Sequence, residues 1–318
     1  MEKESCVQVK DAQYPAKETP LVSVAMIAYN VGKFLAEAIE SVLVQETGFK
    51  VELIIGEDCS TDNTREIALE YQMKYPHVIK VLLPEKNQGL TPNSIATQNA
   101  CSGKYIALLD GDDFWTDPLK LQKQVEFLEI HPQFSASGHQ SEKIYEDGSP
   151  SMLFGETEEK VYGLNDTITH RKFHTSSLVY RREFWVKTGG IPANISSNER
   201  AIYPMLAIFG KIQYFKEPMC VYRLSGANLT SRITYKELET DLAMIPWLKK
   251  LDNNFPAMRF RSFLHLCMFT YGKKIPIAPL LKHFLLFKVY SFSYFPANLP
   301  DLKWGMIFFF RRLKSALD

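Results

Sequence analysis

The segment Asp110-Gly111-Asp112-Asp113 packs three carboxylates into four residues, directly after the apolar run Tyr105 to Leu109. Such a short run, bounded by polar residues, reads as a buried strand of an α/β sheet. Ligands of open α/β sheets bind just beyond the carboxyl ends of the strands. Three neighbouring acids repel one another, and a hard divalent cation with oxygen ligands would relieve that repulsion. A solvated acidic turn is the other reading.

The elements that must hold these acids are visible upstream. Pro20 precedes the strand-like run Leu21 to Ala28, which ends at Tyr29-Asn30. Phe34, Leu35, Ala38, Ile39, Val42 and Leu43 then recur at helical spacing until Gly48. A second strand-like run, Val51 to Gly56, stops at Glu57-Asp58-Cys59-Ser60-Thr61-Asp62-Asn63-Thr64, a stretch rich in turn formers and helix caps. A helix is expected from about Arg65 to Tyr75 and a third strand over Val78 to Leu83. Asn87-Gln88-Gly89-Leu90 then turns into a helix over roughly Pro92 to Cys101, and the acid-bearing strand comes fourth. The alternation predicts a mostly parallel sheet with helices on both faces. Strands one, two and four all end in polar clusters, so those clusters should meet along one rim.

Beyond Trp115 the pattern predicts a helix from Leu119 to about Ile130, a strand over Phe134 to Ile144 and a polar loop over Glu146 to Glu159. Further expectations are a strand over Phe173 to Tyr180, helices over Arg181 to Lys187 and about Glu199 to Phe209, and strand pieces at Ile212 to Phe215 and Met219 to Arg223. There is no G-x-G-x-x-G after the first strand and no G-x-x-x-x-G-K-[ST], which disfavours a dinucleotide dehydrogenase or a P-loop ATPase. A metal bridging a diphosphate would supply the neutralisation those loops give elsewhere.

The 318 residues suffice for one large domain or for a domain with an appendage, and 46% hydrophobic against 23% charged residues is a globular composition. A net charge of +1 argues against nucleic-acid binding through bulk charge. From Pro256 onward, however, ten Lys or Arg stand against two acids, so that segment carries about +8 and the rest about −7. Five widely spaced cysteines without a C-x-x-C pair fit a reducing compartment rather than a disulfide framework or a zinc site. Residues Met1 to Lys17 lack the apolar core of a signal peptide, and no apolar run approaches a membrane-spanning length. The N-x-S/T triplets at Asn165, Asn194 and Asn228 are then chance matches, and a cytoplasmic location is expected.

Taken together, the ordered blocks Val22–Asn30, Glu57–Thr64 with the Arg65 helix, Asn87-Gln88-Gly89 with Asn93, Gly103–Trp115 and Tyr222-Arg223 resemble an inverting glycosyltransferase of family 2. The resemblance covers about Leu21 to Arg223 and implies the GT-A fold: α/β, a mostly parallel Rossmann-like sheet flanked by helices, followed here by a C-terminal helical extension. It implies that Ala28, Tyr29, Asn30, Asp58, Asn87 and Asn93 cradle the nucleotide. Asp58 would accept the ring N–H of a uracil or thymine, which favours UDP- or dTDP-sugars. In the D-x-D motif Asp110 would lie near the ribose, and Asp112, with Asp110, would hold Mn²⁺ or Mg²⁺ against the diphosphate. Gly111 belongs to the same turn, Asp113 and Trp115 match positions beside the donor sugar, and Tyr222 and Arg223 complete the binding set. Trp115 reads equally as a wall of the core.

Two positions depart from the family pattern. Members commonly carry a Glu-Asp pair ahead of the Gly that closes the base helix, its Asp being the general base; counted back from Gly210, this chain has Asn198-Glu199. Glu199 keeps a carboxylate with one more methylene, so the resemblance implies Glu199 as the catalytic base. A first-turn acid stabilised by the helix dipole is the alternative. Many members also have a His two residues after Tyr-Arg, where this chain has Ser225. Of the nearby histidines, His170 and His174, the latter sits at a strand-like site and reads more as structural than as a ligand.

The implied organisation is an N-terminal arm (1–20), a catalytic domain (21–235, with a nucleotide half to about 115 and an acceptor half from about 116) and a basic, aromatic helical region (236–318). From Pro256 the chain holds fourteen aromatic residues beside the ten cations, which suits a helix lying on an anionic membrane surface or, alternatively, a helical cap with a solvated basic face. The implied activity is metal-dependent transfer of a sugar from a nucleotide-sugar to a hydroxyl of a glycan or lipid-linked acceptor in surface polysaccharide synthesis, at the inner face of the membrane. A non-catalytic sugar-nucleotide-binding or scaffold protein, or a nucleotidyltransferase, is the competing class. The latter should carry a Gly- and basic-rich loop after the first strand, which Tyr29-Asn30-Val31-Gly32-Lys33 matches poorly.

Overall fold

Three of the apolar runs do become buried strands, because each can bury both faces only between layers of helix. The computed structural model of the chain describes residues 7–13, 18–224, 233–294 and 299–317. Ser225, the Asn228 triplet, Cys6 and most of the arm before residue 18 lie outside the described residues. The chain forms two compact units: Met1–Gly163, Arg171–Ile191 and Phe209–Ser225 make the first, and Leu164–His170, Pro192–Ile208 and Gly226–Asp318 the second.

In the first unit the main path of the sheet runs, edge to edge, through strands Lys160–Tyr162, Lys211–Leu224, Phe134–Tyr145, Val179–Arg181, Tyr105–Asp110, Val22–Ala28, Val51–Glu57 and Ile79–Leu82. Tyr105–Asp110, Val22–Ala28, Val51–Glu57 and Ile79–Leu82 are mutually parallel, and Phe134–Tyr145 is parallel to Lys211–Leu224. Val179–Arg181 joins the two groups antiparallel to both of its neighbours. Alternate residues Val22, Val24 and Met26 pack with Leu53, Ile55, Ala107 and Leu109 against Leu35, Ala38, Ile39 and Val42 of helix Gly32–Leu43. Helix Leu90–Asn99 packs directly on strand Val51–Glu57: a Cβ on Gly56 would meet Thr97 Oγ1 at 2.1 Å and Asn93 Oδ1 at 2.5 Å. Only a glycine lets that helix approach the strand so closely.

Several expected elements differ in extent. The expected loop Glu146–Glu159 contains a strand, Met152–Phe154, which pairs antiparallel with Ser141–Lys143. Its three residues are apolar, but a run this short between polar stretches becomes extended by pairing with the neighbouring edge. The expected strand Phe173–Tyr180 is a 3₁₀ turn over Thr175–Ser177 followed by strand Val179–Arg181. Here the Ser176 N–H donates to His174 Nδ1 and the Ser177 hydroxyl to the His174 carbonyl, so side chains take bonds a ladder would need. The two expected pieces around Pro218 are one strand, Lys211–Leu224, with register shifts on either side of Pro218, which has no N–H to give.

The second unit is helical. Besides Asn198–Phe209 it contains Tyr235–Thr240, Met244–Leu251, Ala257–Tyr271, Ile277–Ser291 and Leu299–Leu317. Thr234 and Glu237 form a reciprocal capping box that starts the first of the C-terminal helices. Phe263, Leu266, Phe269, Leu280, Phe287 and Phe309 make its core, and the Phe284 and Phe309 rings stack with centroids 3.8 Å apart. Among the described residues no helix is long and apolar enough to cross a membrane.

Candidate active site

The acidic turn is held by the backbone of its neighbour strand. Asp110 ends the strand paired with Val22–Ala28, the Gly111 N–H donates to the Ile27 carbonyl at 2.9 Å, and the Asp113 N–H donates to the Asp110 carbonyl at 3.0 Å. A Cβ on Gly111 would stand 2.9 Å from that Ile27 oxygen, so the turn requires glycine.

Asp113 is enclosed. Its Oδ2 accepts the Ser176 hydroxyl at 2.6 Å, and its Oδ1 accepts the Arg223 backbone N–H at 2.9 Å. His174 Nδ1 lies 3.3 Å from the same Oδ2. Burial, reinforced by the charges of Asp112 and Asp110, pushes the Asp113 carboxyl well above the usual carboxylate range. Burial raises Asp112 too, against opposing effects that include the Arg223 charge. For His174, burial and then the cations Arg171 and Lys143 hold the imidazole well below its ordinary value, so it is neutral near pH 7.

Ligand atoms of Asp110, Asp113 and His174 all lie within 4.8 Å of one another, close enough to surround one metal ion. Two carboxylates with a neutral imidazole suit a divalent cation of the Mn²⁺ or Mg²⁺ kind. Asp112, expected to hold the metal with Asp110, is half-buried on the same turn but is not one of these three. His174, expected on a strand, instead precedes a 3₁₀ turn beside the acidic turn, and Ser176, whose hydroxyl donates to Asp113, was not singled out in the sequence at all.

Around this cluster the expected residues divide. Tyr222 stacks on His174 with ring centroids 3.9 Å apart. Arg223 points to a different neighbourhood: its Nε donates to the Asp112 carbonyl at 2.9 Å, its Nη2 lies 2.6 Å from Glu37, and its Cζ sits 4.4 Å from the centre of the Phe34 ring. Trp115 is buried in the core; its Nε1 donates to the Ser176 carbonyl at 2.8 Å, and Lys120 Nζ lies 4.1 Å from the centre of its ring.

The loops after the adjacent strands Val22–Ala28 and Val51–Glu57 are laced together. Asn30 adopts a left-handed φ of 53°, its N–H donates to Ser60 Oγ at 3.0 Å, and its Oδ1 accepts the Thr61 N–H at 2.8 Å. Ala28 is buried, while Tyr29 is left 46% exposed. The Asp58 carboxylate is buried and accepts the N–H groups of Gln88 and Gly89 at 2.8 and 2.9 Å, and Asn87 Nδ2 donates to the Asp58 carbonyl at 2.9 Å. Each Asp58 oxygen keeps a second lone pair. Asn93 is buried, donating to the Gly56 carbonyl at 2.8 Å, and so braces the strand.

Glu199 lies in the second unit, half-buried in the first turn of helix Asn198–Phe209, and forms no hydrogen bond or ion pair with the described residues. The start of that helix is anchored by the buried Asp241, which accepts the N–H groups of Ser196 and Ser197 and pairs with Arg200 at 3.0 Å. His170, in the same unit, faces Asp301 at 3.7 Å and packs against Phe263 and Trp304.

Beyond Tyr222 stand two cations that sequence reasoning did not single out. Lys143 Nζ is 4.1 Å from the Phe154 ring centre and 5.9 Å from that of Tyr222; Arg171 Cζ is 5.0 and 5.3 Å from the same two rings. Lys143 carries one usable signal, since it lies two residues from Ser141 and so on the same face of an expected strand. Arg171 carries none.

The family model for glycosyl transferase family 2 matches residues 23–184, half of the chain. Over 203 residues the chain is 37% identical to an uncharacterized protein of Mycobacterium tuberculosis, Rv1520, an alignment covering 64% of this chain and 58% of that protein. The chain thus spans little more than half the length of this relative. Among solved structures, Staphylococcus aureus TarS (residues 1–349, with UDP-GlcNAc) superposes with a TM-score of 0.68 at 16% identity, covering 93% of this chain and 90% of that one. The mannosyltransferase PcManGT of Pyrobaculum calidifontis, solved with GDP-Man and Mn²⁺, gives a TM-score of 0.56 at 13% identity, covering 96% and 90%. These two structures share the fold.

Proposed function

We propose a function on one premise: the chain belongs to glycosyl transferase family 2. It transfers a sugar from a nucleotide-sugar, UDP- or dTDP-linked, to a hydroxyl of a glycan or lipid-linked acceptor in surface polysaccharide synthesis. One observation carries this reading: Asp110, Asp113 and His174 bring ligand atoms within 4.8 Å of one another at the strand end where a diphosphate is expected. A Mn²⁺ or Mg²⁺ ion there, with Asp112 beside it, would supply Lewis-acid stabilisation of a leaving diphosphate. The residues of the chain do the rest. Tyr29, Asn30, Asp58 and Asn87 receive the nucleoside, with Asp58 accepting a pyrimidine N–H on its remaining lone pairs. Ser176 and the Arg223 N–H fix the Asp113 carboxylate in place. Glu199, uncommitted to any described partner, takes the proton of the acceptor hydroxyl, and attack opposite the nucleotide inverts the anomeric centre.

The test is a thermal-shift and donor-hydrolysis panel of UDP-, dTDP- and GDP-sugars with and without Mn²⁺. Stabilisation by a uridine or thymidine sugar that depends on the ion and is lost in Asp110→Ala is the expected result. No response to any nucleotide under either condition would overturn the reading.

The second unit is proposed to rest on the inner, anionic surface of a membrane. Ile277, Leu281, Leu285, Val289 and Phe292 recur every three or four residues and are exposed, Leu285 by 62% and Phe292 by 68%, while Leu280, His283 and Phe287 face inward. Helix Ile277–Ser291 carries Lys282 and Lys288 and no acid. An exposed apolar stripe with basic flanks fits a lipid interface with anionic headgroups.

A further inference from the structure

We propose that Lys143 and Arg171 form a subsite for an anionic group, a phosphate or a carboxylate, carried by the acceptor. The inference rests on the glycosyl-transfer reading above and extends it to the class of acceptor.

The strand order sets the direction in which substrates lie. Asp58 ends strand Val51–Glu57, Ala28 to Asn30 end the next strand, and the acidic turn ends the strand after that. Continuing along the sheet, Val179–Arg181 and then Phe134–Tyr145 follow, and the latter carries Lys143. At roughly 4.8 Å between neighbouring strands, the Lys143 strand is about 19 Å from the strand of Asp58 and about 10 Å from that of Asp110. A nucleotide on Asp58 with its diphosphate at Asp110 therefore leaves Lys143 on the side where the acceptor must enter.

The wall there is built from three strands in register. Lys143 is the cross-strand neighbour of Tyr222 on one side and of Met152 on the other, and Phe154 stands opposite Ser141, two residues along the same face. The Phe154 and Tyr222 rings lie beneath both cations, within 4.1 to 5.9 Å. Tyr222 also stacks on His174, whose Nδ1 lies 3.3 Å from Asp113 Oδ2. Glu142, next in sequence to Lys143, projects to the opposite face, as alternation along a strand requires.

Two like charges share these rings, and the Lys143 ammonium makes no hydrogen bond or ion pair with the described residues. Burial, and then the Arg171 charge, hold its affinity for a proton below the ordinary lysine value. Cation–π contact offsets only part of that cost. Arg171 hydrogen-bonds the Tyr222 side chain, and its guanidinium carries five N–H donors, so an anion bridging it to the Lys143 ammonium would offset the repulsion of the two cations with charge-assisted hydrogen bonds.

The experiment titrates the protein with glycerol 1-phosphate, glucuronate and, as neutral controls, glycerol and glucose, followed by NMR or calorimetry, with UDP plus Mn²⁺ titrated separately. The expected result is binding of one of the anions at least tenfold tighter than its neutral control, weakened about tenfold or more in Lys143→Gln and Arg171→Gln, with UDP affinity unchanged. Preference for glycerol 1-phosphate identifies a phosphate-bearing acceptor and preference for glucuronate a uronate-bearing one. Equal binding of anions and neutral controls by the wild type overturns the proposal, and needs no variant to show it. A parallel loss of UDP affinity in the variants also overturns it, since the cations would then serve the donor. Absence of any UDP binding by the wild type would instead sink the glycosyl-transfer reading on which it rests.

Discussion

His174 Nδ1 lies 3.3 Å from Oδ2 of Asp113, with both side chains buried and the imidazole stacked on Tyr222. Together with Asp110 this pair brings ligand atoms within 4.8 Å of one another, a group that could hold a cation. Asp113→Asn and His174→Ala should each weaken Mn²⁺ binding by about tenfold or more, which is about 1.4 kcal/mol or more. Mn²⁺-dependent thermal stabilisation of the apo protein reads this directly. Unchanged metal affinity in both variants would place the ion elsewhere on the turn.

Glu199 has a carboxylate with no described partner on a helix start that Asp241 anchors. Removal of a general base costs roughly 10² to 10⁴ in rate. Glu199→Gln should therefore lower kcat by that order while leaving the donor KM near its wild-type value, and Glu199→Asp should keep part of the activity. An acid limb in the pH–rate profile that disappears in Glu199→Gln would separate a base from a merely structural residue. If kcat falls no more than fivefold, the base is another group.

Lys120 gives a stability prediction that is independent of activity. It is fully buried over the Trp115 ring with no hydrogen-bond partner for Nζ among the described residues, and burial lowers its pKa to about 7 from 10.5. Between those two values the unfolded chain holds a proton that the folded chain has released, so stability rises with pH across that window, by up to about 1.4 kcal/mol per unit. Below about pH 7 both states are charged and the cost of burying the cation is fully felt. Lys120→Met should stabilise the protein more at pH 6 than at pH 9, as urea midpoints at the two pH values would reveal. An equal effect at both would show that the lysine stays charged throughout.

Leu285 and Phe292 belong to the exposed stripe of the second unit. Co-sedimentation with vesicles containing phosphatidylglycerol should be strong, with pure phosphatidylcholine weak, and both Leu285→Glu and Lys288→Glu should reduce the former severalfold while leaving the melting temperature nearly unchanged. Binding that ignores lipid charge and survives both substitutions would assign the stripe to a protein partner.

How far the sequence reached depended on the range of the interactions involved. The strands Val22–Ala28, Val51–Glu57 and Tyr105–Asp110 were legible because a doubly buried strand must be apolar nearly throughout, a local property. The position of Asp110 to Asp113 was legible for the same reason: a polar turn directly after such a strand falls at the sheet rim. Strand Met152–Phe154 was not, since three apolar residues within a polar stretch are too short a run to signal a strand and become extended by pairing with Ser141–Lys143.

The amino-acid sequence by itself determined the layered α/β plan, the acid-bearing turn and the basic, aromatic character of the C-terminal region, all set by composition and spacing within short windows. Only the tertiary structure decided that His174 and Ser176 serve Asp113, that Arg223 is spent on Glu37 and the Asp112 carbonyl, and that Lys143 and Arg171 share the rings of Phe154 and Tyr222. Those relationships rest on strand order and register. A single-residue shift between Phe134–Tyr145 and Lys211–Leu224 would turn Lys143 to the other face, and no local pattern of residues encodes that register.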